Sequence, residues 1–170
     1  MKLNHFAAAA VATVALPVLV ACAATAGTAV AADVTYRADV APMLKTHCAD
    51  CHSAAAGAPT IKEYDLAKDK YKKEKVGPRV DTYETVLQLI AYPDAGAFMR
   101  RLDDGTSQYA GGKPGNMYKH LGETEAERAK NLATLKAWVG EGGWNLNRFK
   151  ARKDVPGLTK EQMEKLVLKY

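Results

Sequence analysis

Apolar residues recur at helical spacing in several short segments of this chain, and loops rich in glycine, proline and small residues separate these segments. Residues 39–48 predict a first helix, because Val40, Met43 and Leu44 share one side of it and Asp39 can cap its first turn. No segment predicts a strand. The pattern therefore predicts an all-α fold.

Four later helices each have a residue that can cap the N-terminus. These residues are Asp81, Asp94, Thr124 and Thr159. After the first and the third of them a glutamate follows three residues later, as in a capping box. The helix after Thr124 has a single apolar stripe, formed by Leu132, Leu135, Trp138 and Val139.

Residues 1–32 have a composition of their own. Lys2 is followed by an almost purely apolar stretch from Phe6 to Ala21 and then by small residues. This layout is that of a secretory signal peptide, and it favours cleavage over a transmembrane anchor. Residues 19–22, Leu-Val-Ala-Cys, also resemble a bacterial lipobox, in which Cys22 would be lipidated. Either route places the protein outside the cytoplasm, and we expect a periplasmic location.

The charge of the exported part is mildly positive. Residues 1–32 contain Lys2 as their only charged residue, so removing them lowers the formal net charge of the chain from +5 to +4. This balance does not indicate nucleic-acid binding, and the compartment argues against it. It is compatible with docking to acidic protein partners.

Residues 48–52 read Cys-Ala-Asp-Cys-His, which is the attachment signal for a c-type haem. Cys48 and Cys51 can each add to one vinyl group of the porphyrin, and His52 can then bind the iron from the proximal side. A thioredoxin-like redox pair would need a βαβ setting. A structural zinc would need four ligands, and outside this pentapeptide the chain has only one further cysteine, Cys22. A single motif predicts a single haem.

The order of the elements resembles the class I cytochrome c family over residues 34–145. A helix runs into the haem motif, loops and a methionine follow, and an amphipathic helix comes last. The stretches Val-Gly-Pro-Arg at 76–79 and Gly-Asn-Met-Tyr at 115–118 are similar to monohaem periplasmic cytochromes of metal- and electrode-respiring bacteria. The resemblance implies cytochrome c-like helices around one covalently bound haem in a domain over 33–147. An extension over 148–170 is expected to pack on that domain.

In this family a methionine from the loop before the last helix binds the other side of the iron. The resemblance therefore implies Met117, at the end of a glycine-rich loop, as the sixth ligand. Met99 is the next candidate, but its helical spacing with Phe98 and Leu102 is typical of a core residue. His120 is a third candidate and would give a bis-histidine iron.

Other residues around the haem are also implied by the resemblance. The ring nitrogen of the histidine ligand that does not bind iron donates its N–H to the carbonyl of a proline after the motif. This proline is Pro59 by position or Pro78 by its Gly-Pro context. Arg79 is the first candidate for binding a haem propionate. Trp138 is expected to pack against the first helix beside the haem.

The function that the resemblance implies is transfer of single electrons between redox proteins, without enzymatic activity. Two alternatives remain: a haem enzyme or a gas or peroxide sensor with an open sixth site, and a redox subunit of a larger respiratory complex. We expect a monomer that contacts a membrane only if Cys22 is lipidated. The six lysines within residues 62–75 predict either a solvated surface or a docking patch for an acidic redox partner.

Overall fold

A computed structural model of the chain describes residues 33–91, 96–107, 111–140, 143, 144, 146 and 158–170. The predicted signal peptide, the predicted cap Asp94 and residues 147–157 lie outside the described residues. Within the described ranges all regular secondary structure is helical, which confirms the predicted all-α, cytochrome c-like fold. No helix in this part of the chain has the length and apolar character needed to cross a membrane.

The helices follow one another in short pieces. A π-helical turn (Tyr36–Val40) continues directly into α1 (Ala41–His47), and α2 (Ala49–His52) follows after Cys48. Next come α3 (Ile61–Leu66), α4 (Lys68–Glu74), α5 (Tyr83–Ile90) and α6 (Ala97–Leu102). A 3₁₀ turn (Tyr118–His120) precedes α7 (Glu125–Val139), and the last helix is α8 (Lys160–Val167).

Two predicted helix starts are wrong by a few residues. The first helix is capped by Thr35, whose hydroxyl accepts an N–H of the first turn. Asp39 lies inside this helix, where its carboxylate accepts the N–H of Thr35 at 2.8 Å. Similarly, Thr82 caps α5, because the carboxylate of Asp81 is bound to Arg79 instead. In both places a threonine near the predicted aspartate makes the capping hydrogen bond.

The predicted caps of the last two long segments are confirmed. The hydroxyl of Thr124 accepts the N–H of Glu127 at 3.2 Å, and that of Thr159 accepts the N–H of Gln162 at 3.2 Å. The predicted apolar stripe of α7 is buried along its whole length. The helix ends at Val139 and is capped by Gly140, whose φ of 85° lies in the left-handed region that favours glycine.

The first helix packs against α7 through aromatic side chains. The ring of Tyr36 lies 5.5 Å from that of Trp138, and the ring of Tyr83 lies 4.9 Å from that of Tyr36. Trp138 has no exposed surface. The predicted packing of Trp138 against the first helix is therefore confirmed.

The tail returns to the same aromatic cluster. The carbonyl of Lys169 accepts the N–H of Tyr36 at 2.7 Å, and its ammonium group donates to the carbonyl of Ala137 at 2.8 Å. Leu166 of α8 is buried, which contributes about 2 kcal/mol by the hydrophobic effect. α8 therefore ties the start of the first helix to the end of α7.

Candidate haem site

The two cysteines of the motif lie where α1 passes into α2. Cys48 interrupts the helix with φ −126° and ψ −25°, and its carbonyl accepts the N–H groups of Cys51 at 3.2 Å and His52 at 2.8 Å. This single turn brings the three side chains to one face, since residues three and four apart are neighbours on a helix. Cys48 is half-buried, Cys51 is exposed, and neither forms a disulfide.

Burial, together with the neighbouring Cys51, raises the pKa of the Cys48 thiol to about 11. The thiolate is the nucleophilic form of cysteine, so this shift makes Cys48 less reactive than an exposed cysteine.

The imidazole of His52 is oriented by the backbone of a distant segment. Its Nδ1 lies 2.8 Å from the carbonyl oxygen of Pro78. A carbonyl can only accept, so Nδ1 carries the proton and Nε2 keeps the lone pair that binds a metal. The carbonyl of Pro59 instead accepts the N–H of Arg79 at 2.8 Å. The assignment of Pro59 as the histidine's partner is therefore wrong, and Pro78 has this role.

Gly77 allows this segment to close over the ring. A Cβ at position 77 would lie 2.7 Å from Cε1 of His52, closer than any normal carbon–carbon contact. Only glycine therefore fits here with the imidazole in its present position. The Gly-Pro pair therefore has two roles at the imidazole: Gly77 leaves room for the ring, and the carbonyl of Pro78 accepts the hydrogen bond from Nδ1.

Arg79 fastens the same segment to the loop after the motif. Its Nε and Nη2 donate to the two carboxylate oxygens of Asp81 at 2.6 and 3.0 Å, and the N–H of Ala54 donates to the same carboxylate at 2.8 Å. Burial would raise the pKa of Asp81, but the hydrogen bonds from Arg79 and Ala54 lower it below its ordinary value. The predicted binding of a propionate by Arg79 stays a prediction.

Three buried donors have no partner among the described residues. They are the indole N–H groups of Trp138 and Trp144 and the hydroxyl of Tyr83. Buried polar groups in proteins are nearly always hydrogen-bonded, so these donors suit a ligand with acceptor oxygens, such as the propionates of a haem. Together with the free Nε2 of His52, they show that the residues present fit a haem.

A cavity of about 580 Å³ opens beside His52. The first helix forms one wall, and Val80 and Asp81 form the other. Arg37 and Lys45 bring positive charge to its lining. This charge is complementary to carboxylate groups, which agrees with the fit of a haem at this imidazole.

The loop that bears Met117 is fastened to the end of α6. The N–H of Met117 donates to the carbonyl of Arg101 at 2.9 Å, and the N–H of Gly115 donates to the carbonyl of Asp103 at 2.8 Å. The guanidinium of Arg101 also binds the side-chain oxygen of Asn116 at 2.8 Å. A Cβ at Gly115 would collide with the carbonyl of Arg101, so the close approach requires glycine.

The alternative ligands occupy different surroundings. Met99 is fully buried in the core with its neighbours Phe98 and Leu102, as its helical spacing predicts. His120 is exposed, whereas Met117 is half-buried on its loop. Met99 is therefore used in packing, and Met117 keeps the position that the resemblance implies for the sixth ligand.

A hydrogen-bond network beside Met117 was not predicted from the sequence. The hydroxyl of Tyr118 donates to the carboxylate of Glu125, which also accepts a hydrogen bond from Nε of Arg128 at 3.1 Å. The bond to Glu125 raises the pKa of Tyr118 to about 12. The signal was present as a Glu–Arg pair three residues apart in the first turn of α7, a spacing at which side chains meet.

These contacts, on an all-helical fold, define the class of the protein: it is a monohaem c-type cytochrome. A sequence model of a family described as PccH cytochrome c matches residues 35–170, and the chain belongs to this family.

A solved structure is also similar to this chain, that of the monohaem cytochrome PccH from Geobacter sulfurreducens. The two sequences are 46% identical, the match covers 81% of this chain and 99% of that chain, and the TM-score is 0.62. No curated protein matches the chain.

Proposed function

We propose that this protein is a periplasmic one-electron carrier. Cys48 and Cys51 would hold a haem c covalently, and His52 and Met117 would be the ligands of its iron. The observation that carries the proposal is the hydrogen bond from Nδ1 of His52 to Pro78, because it leaves Nε2 of the imidazole for iron. When bound, the haem supplies a ferric/ferrous couple that gains or loses one electron.

The chain's own residues supply the surroundings that such a couple needs. Pro78 fixes the orientation of the imidazole and increases its basicity. The buried N–H groups of Trp138 and Trp144 are available to acceptor oxygens, and the apolar core keeps water away. A carrier needs no catalytic side chain beyond its cofactor, and membership of a cytochrome c family supports electron transfer over enzymatic activity.

The partners in this proposal are other redox proteins outside the cytoplasm, with acidic docking surfaces, and the carrier itself is a monomer. The proposal takes residues 1–32 as a signal peptide, with lipidation at Cys22 as the alternative. Intact mass measurement of the exported protein distinguishes the two, because a lipid adds mass to a chain that begins at Cys22. An unprocessed protein that stays in the cytoplasm would contradict the periplasmic proposal.

The test of the iron ligands is optical absorption of the oxidised and reduced protein, produced in a host that matures c-type haem. We expect a far-red band from a thioether bound to ferric iron and a low-spin reduced spectrum. Met117→Ala should remove both while the haem stays covalently attached. Met99→Leu is the matched control and should keep the band. An unchanged spectrum in the Met117 variant would exclude Met117 as the ligand.

A high-spin spectrum of the unaltered protein that shifts on adding carbon monoxide or peroxide would mean an open sixth site. That outcome would favour the enzyme or sensor alternative over the carrier. No described contact supports this alternative, because a distal acid–base pair would be needed and His120 is exposed.

A further inference from the structure

Leu66 is the most conspicuous apolar side chain on the surface of α3 and α4. It is the last residue of α3 and is 80% exposed. Beside it lies an open hollow of about 370 Å³ whose lining includes Ile61 and Gln88. Covering Leu66 and this hollow would remove apolar surface from water, which stabilises association.

The segment that contains Leu66 is positive overall, although the hollow itself is lined by one lysine and one aspartate, Lys62 and Asp65. Residues 62–75 contain six lysines and four acidic residues. Two of the acidic groups are already engaged, since Glu63 accepts hydrogen bonds from Thr60 and Asp65 pairs with Lys68 at 3.7 Å. Several exposed lysines of this segment have no ion pair with any described residue; they are Lys62, Lys70, Lys72, Lys73 and Lys75. Their charge is available to a partner.

The two short helices are held together as one surface. The rings of Tyr64 in α3 and Tyr71 in α4 stack with their centroids 5.7 Å apart and an angle of 14° between the planes. We name this feature the α3–α4 surface and define it by Leu66 and four of its exposed lysines, Lys62, Lys70, Lys72 and Lys73. The acidic residues exposed on the same helices are Glu63, Asp65, Asp69 and Glu74.

This surface is joined to the imidazole of His52 by a very short stretch of chain. α4 ends at Glu74, and the next residue, Lys75, adopts a left-handed conformation with φ 57°. Gly77, two residues on, lies against the ring, and Pro78 accepts the hydrogen bond from Nδ1. The last residue of the α3–α4 surface, Lys73, is therefore five residues from Pro78, whose carbonyl accepts the hydrogen bond from the imidazole.

We propose that the α3–α4 surface is the docking site for an acidic electron-transfer protein, with Leu66 as the apolar contact and the lysines as the surrounding charge. This inference rests on the proposed carrier function and adds the side of the molecule on which electrons are exchanged. One electron moves from the reduced partner to the oxidised cytochrome, and no covalent bond is made or broken. Opposite charges steer the encounter, and the apolar contact stabilises the complex.

The experiment measures the rate at which reduced flavodoxin, a small acidic protein used as the probe, reduces the oxidised holoprotein in a stopped-flow instrument. Lys72→Glu with Lys73→Glu should slow the reaction about tenfold or more at low salt, and the difference should shrink at high salt. The control, Lys119→Glu with Lys130→Glu, changes the net charge equally at exposed positions elsewhere. It should slow the reaction much less.

A second pair of variants separates the apolar contact from the charge. Leu66→Ala should slow the reaction at both low and high salt, because salt does not screen an apolar contact. The matched control is Leu168→Ala, at a position that is 86% exposed in the tail, and it should react like the unaltered protein. The reduction potential of every variant is measured first, and rates are compared only between variants with the same potential, so that the driving force is equal.

The outcomes distinguish this inference from the proposed function. If the two lysine pairs slow the reaction equally, or if neither does, the α3–α4 surface is not the docking site. If Leu66→Ala reacts like Leu168→Ala, Leu66 is not the contact. If the unaltered protein has a low-spin haem spectrum but is not reduced by flavodoxin at all, or has no haem spectrum, the carrier function itself fails.

Discussion

Gly77→Ala tests whether the contact between this glycine and the ring of His52 controls the iron ligand. The added Cβ would lie 2.7 Å from Cε1 and 3.4 Å from Nδ1 of the imidazole. Carbon atoms in contact lie about 3.5–4.0 Å apart, so the ring or the segment at 77–78 must move by about 1 Å. Such a movement would stretch the 2.8 Å bond between Nδ1 and the carbonyl of Pro78 beyond hydrogen-bond range.

The size of the effect follows from two contributions. Overpacking a well-packed site costs about 1–3 kcal/mol, and the lost hydrogen bond costs about 1 kcal/mol. Alanine recovers up to about 1 kcal/mol by restricting the unfolded chain. We therefore expect the free energy of unfolding to fall by about 1–3 kcal/mol. The reduction potential should rise, because an imidazole that donates no hydrogen bond is less basic and stabilises ferric iron less.

The assays are denaturant unfolding of the holoprotein, followed by its visible absorption, and a spectroscopic redox titration. Gly57→Ala is the matched control, since Gly57 has φ 75° and a Cβ there would meet nothing within 4 Å. It should cost about 1 kcal/mol of backbone strain and leave the potential unchanged. The reasoning is refuted if Gly77→Ala changes the potential no more than Gly57→Ala does.

Three further predictions concern the surroundings of the site. Tyr118→Phe removes the hydrogen bond to Glu125 beside Met117. If Met117 binds the iron, added imidazole should displace this methionine with an apparent Kd for imidazole about fivefold lower than in the unaltered protein. The far-red band reports the displacement, and an unchanged Kd would contradict the prediction. The pKa of Asp81 in the folded protein lies below its ordinary value of 3.8. The ionised carboxylate therefore stabilises the fold fully at pH values above 3.8, and this stabilisation is lost as the pH falls through the lower pKa of the folded state. Asp81→Asn should therefore lower the free energy of unfolding by about 1 kcal/mol at pH 7, and the variant should lose less stability than the unaltered protein when the pH falls below about 4. An acid-unfolding curve of unchanged shape would refute this prediction. Leu166→Ala should lower the free energy of unfolding by about 2–4 kcal/mol, whereas the exposed Leu168→Ala should change it by less than about 0.5 kcal/mol; similar values for both would mean that α8 does not stabilise the fold.

Most helices and the haem motif could be predicted from the sequence, because both depend on residues that are close together in the chain. The pentapeptide at 48–52 indicated the class of protein, since its spacing alone brings two thiols and an imidazole to one face of a turn. The apolar stripe of α7 and the caps Thr124 and Thr159 were predicted for the same reason, because helical periodicity and capping depend on neighbours within four residues. The helix start predicted at Asp39 failed by only a few residues, because the helix begins about one turn earlier, where the hydroxyl of Thr35 accepts the N–H of Ala38.

The partner of His52 depended on contacts between residues far apart in sequence. Pro59 lies seven residues from the histidine and Pro78 lies 26 residues from it, yet Pro78 holds the imidazole. Sequence distance favoured the wrong proline, because the chain passes through α3 and α4 before it returns to the ring. The return is possible only where a residue without a side chain, Gly77, meets the imidazole.

The network around Tyr118 and the docking of the tail on Tyr36 were likewise decided by tertiary structure. Local spacing determines which side chains share a turn, and the sequence by itself therefore determined the helical fold and the haem motif. Which carbonyl reaches an imidazole, and which surface lies next to it, depends on how the helices pack. Packing is a property of the whole chain, because two residues far apart in sequence make a buried contact only when the segments between them have folded.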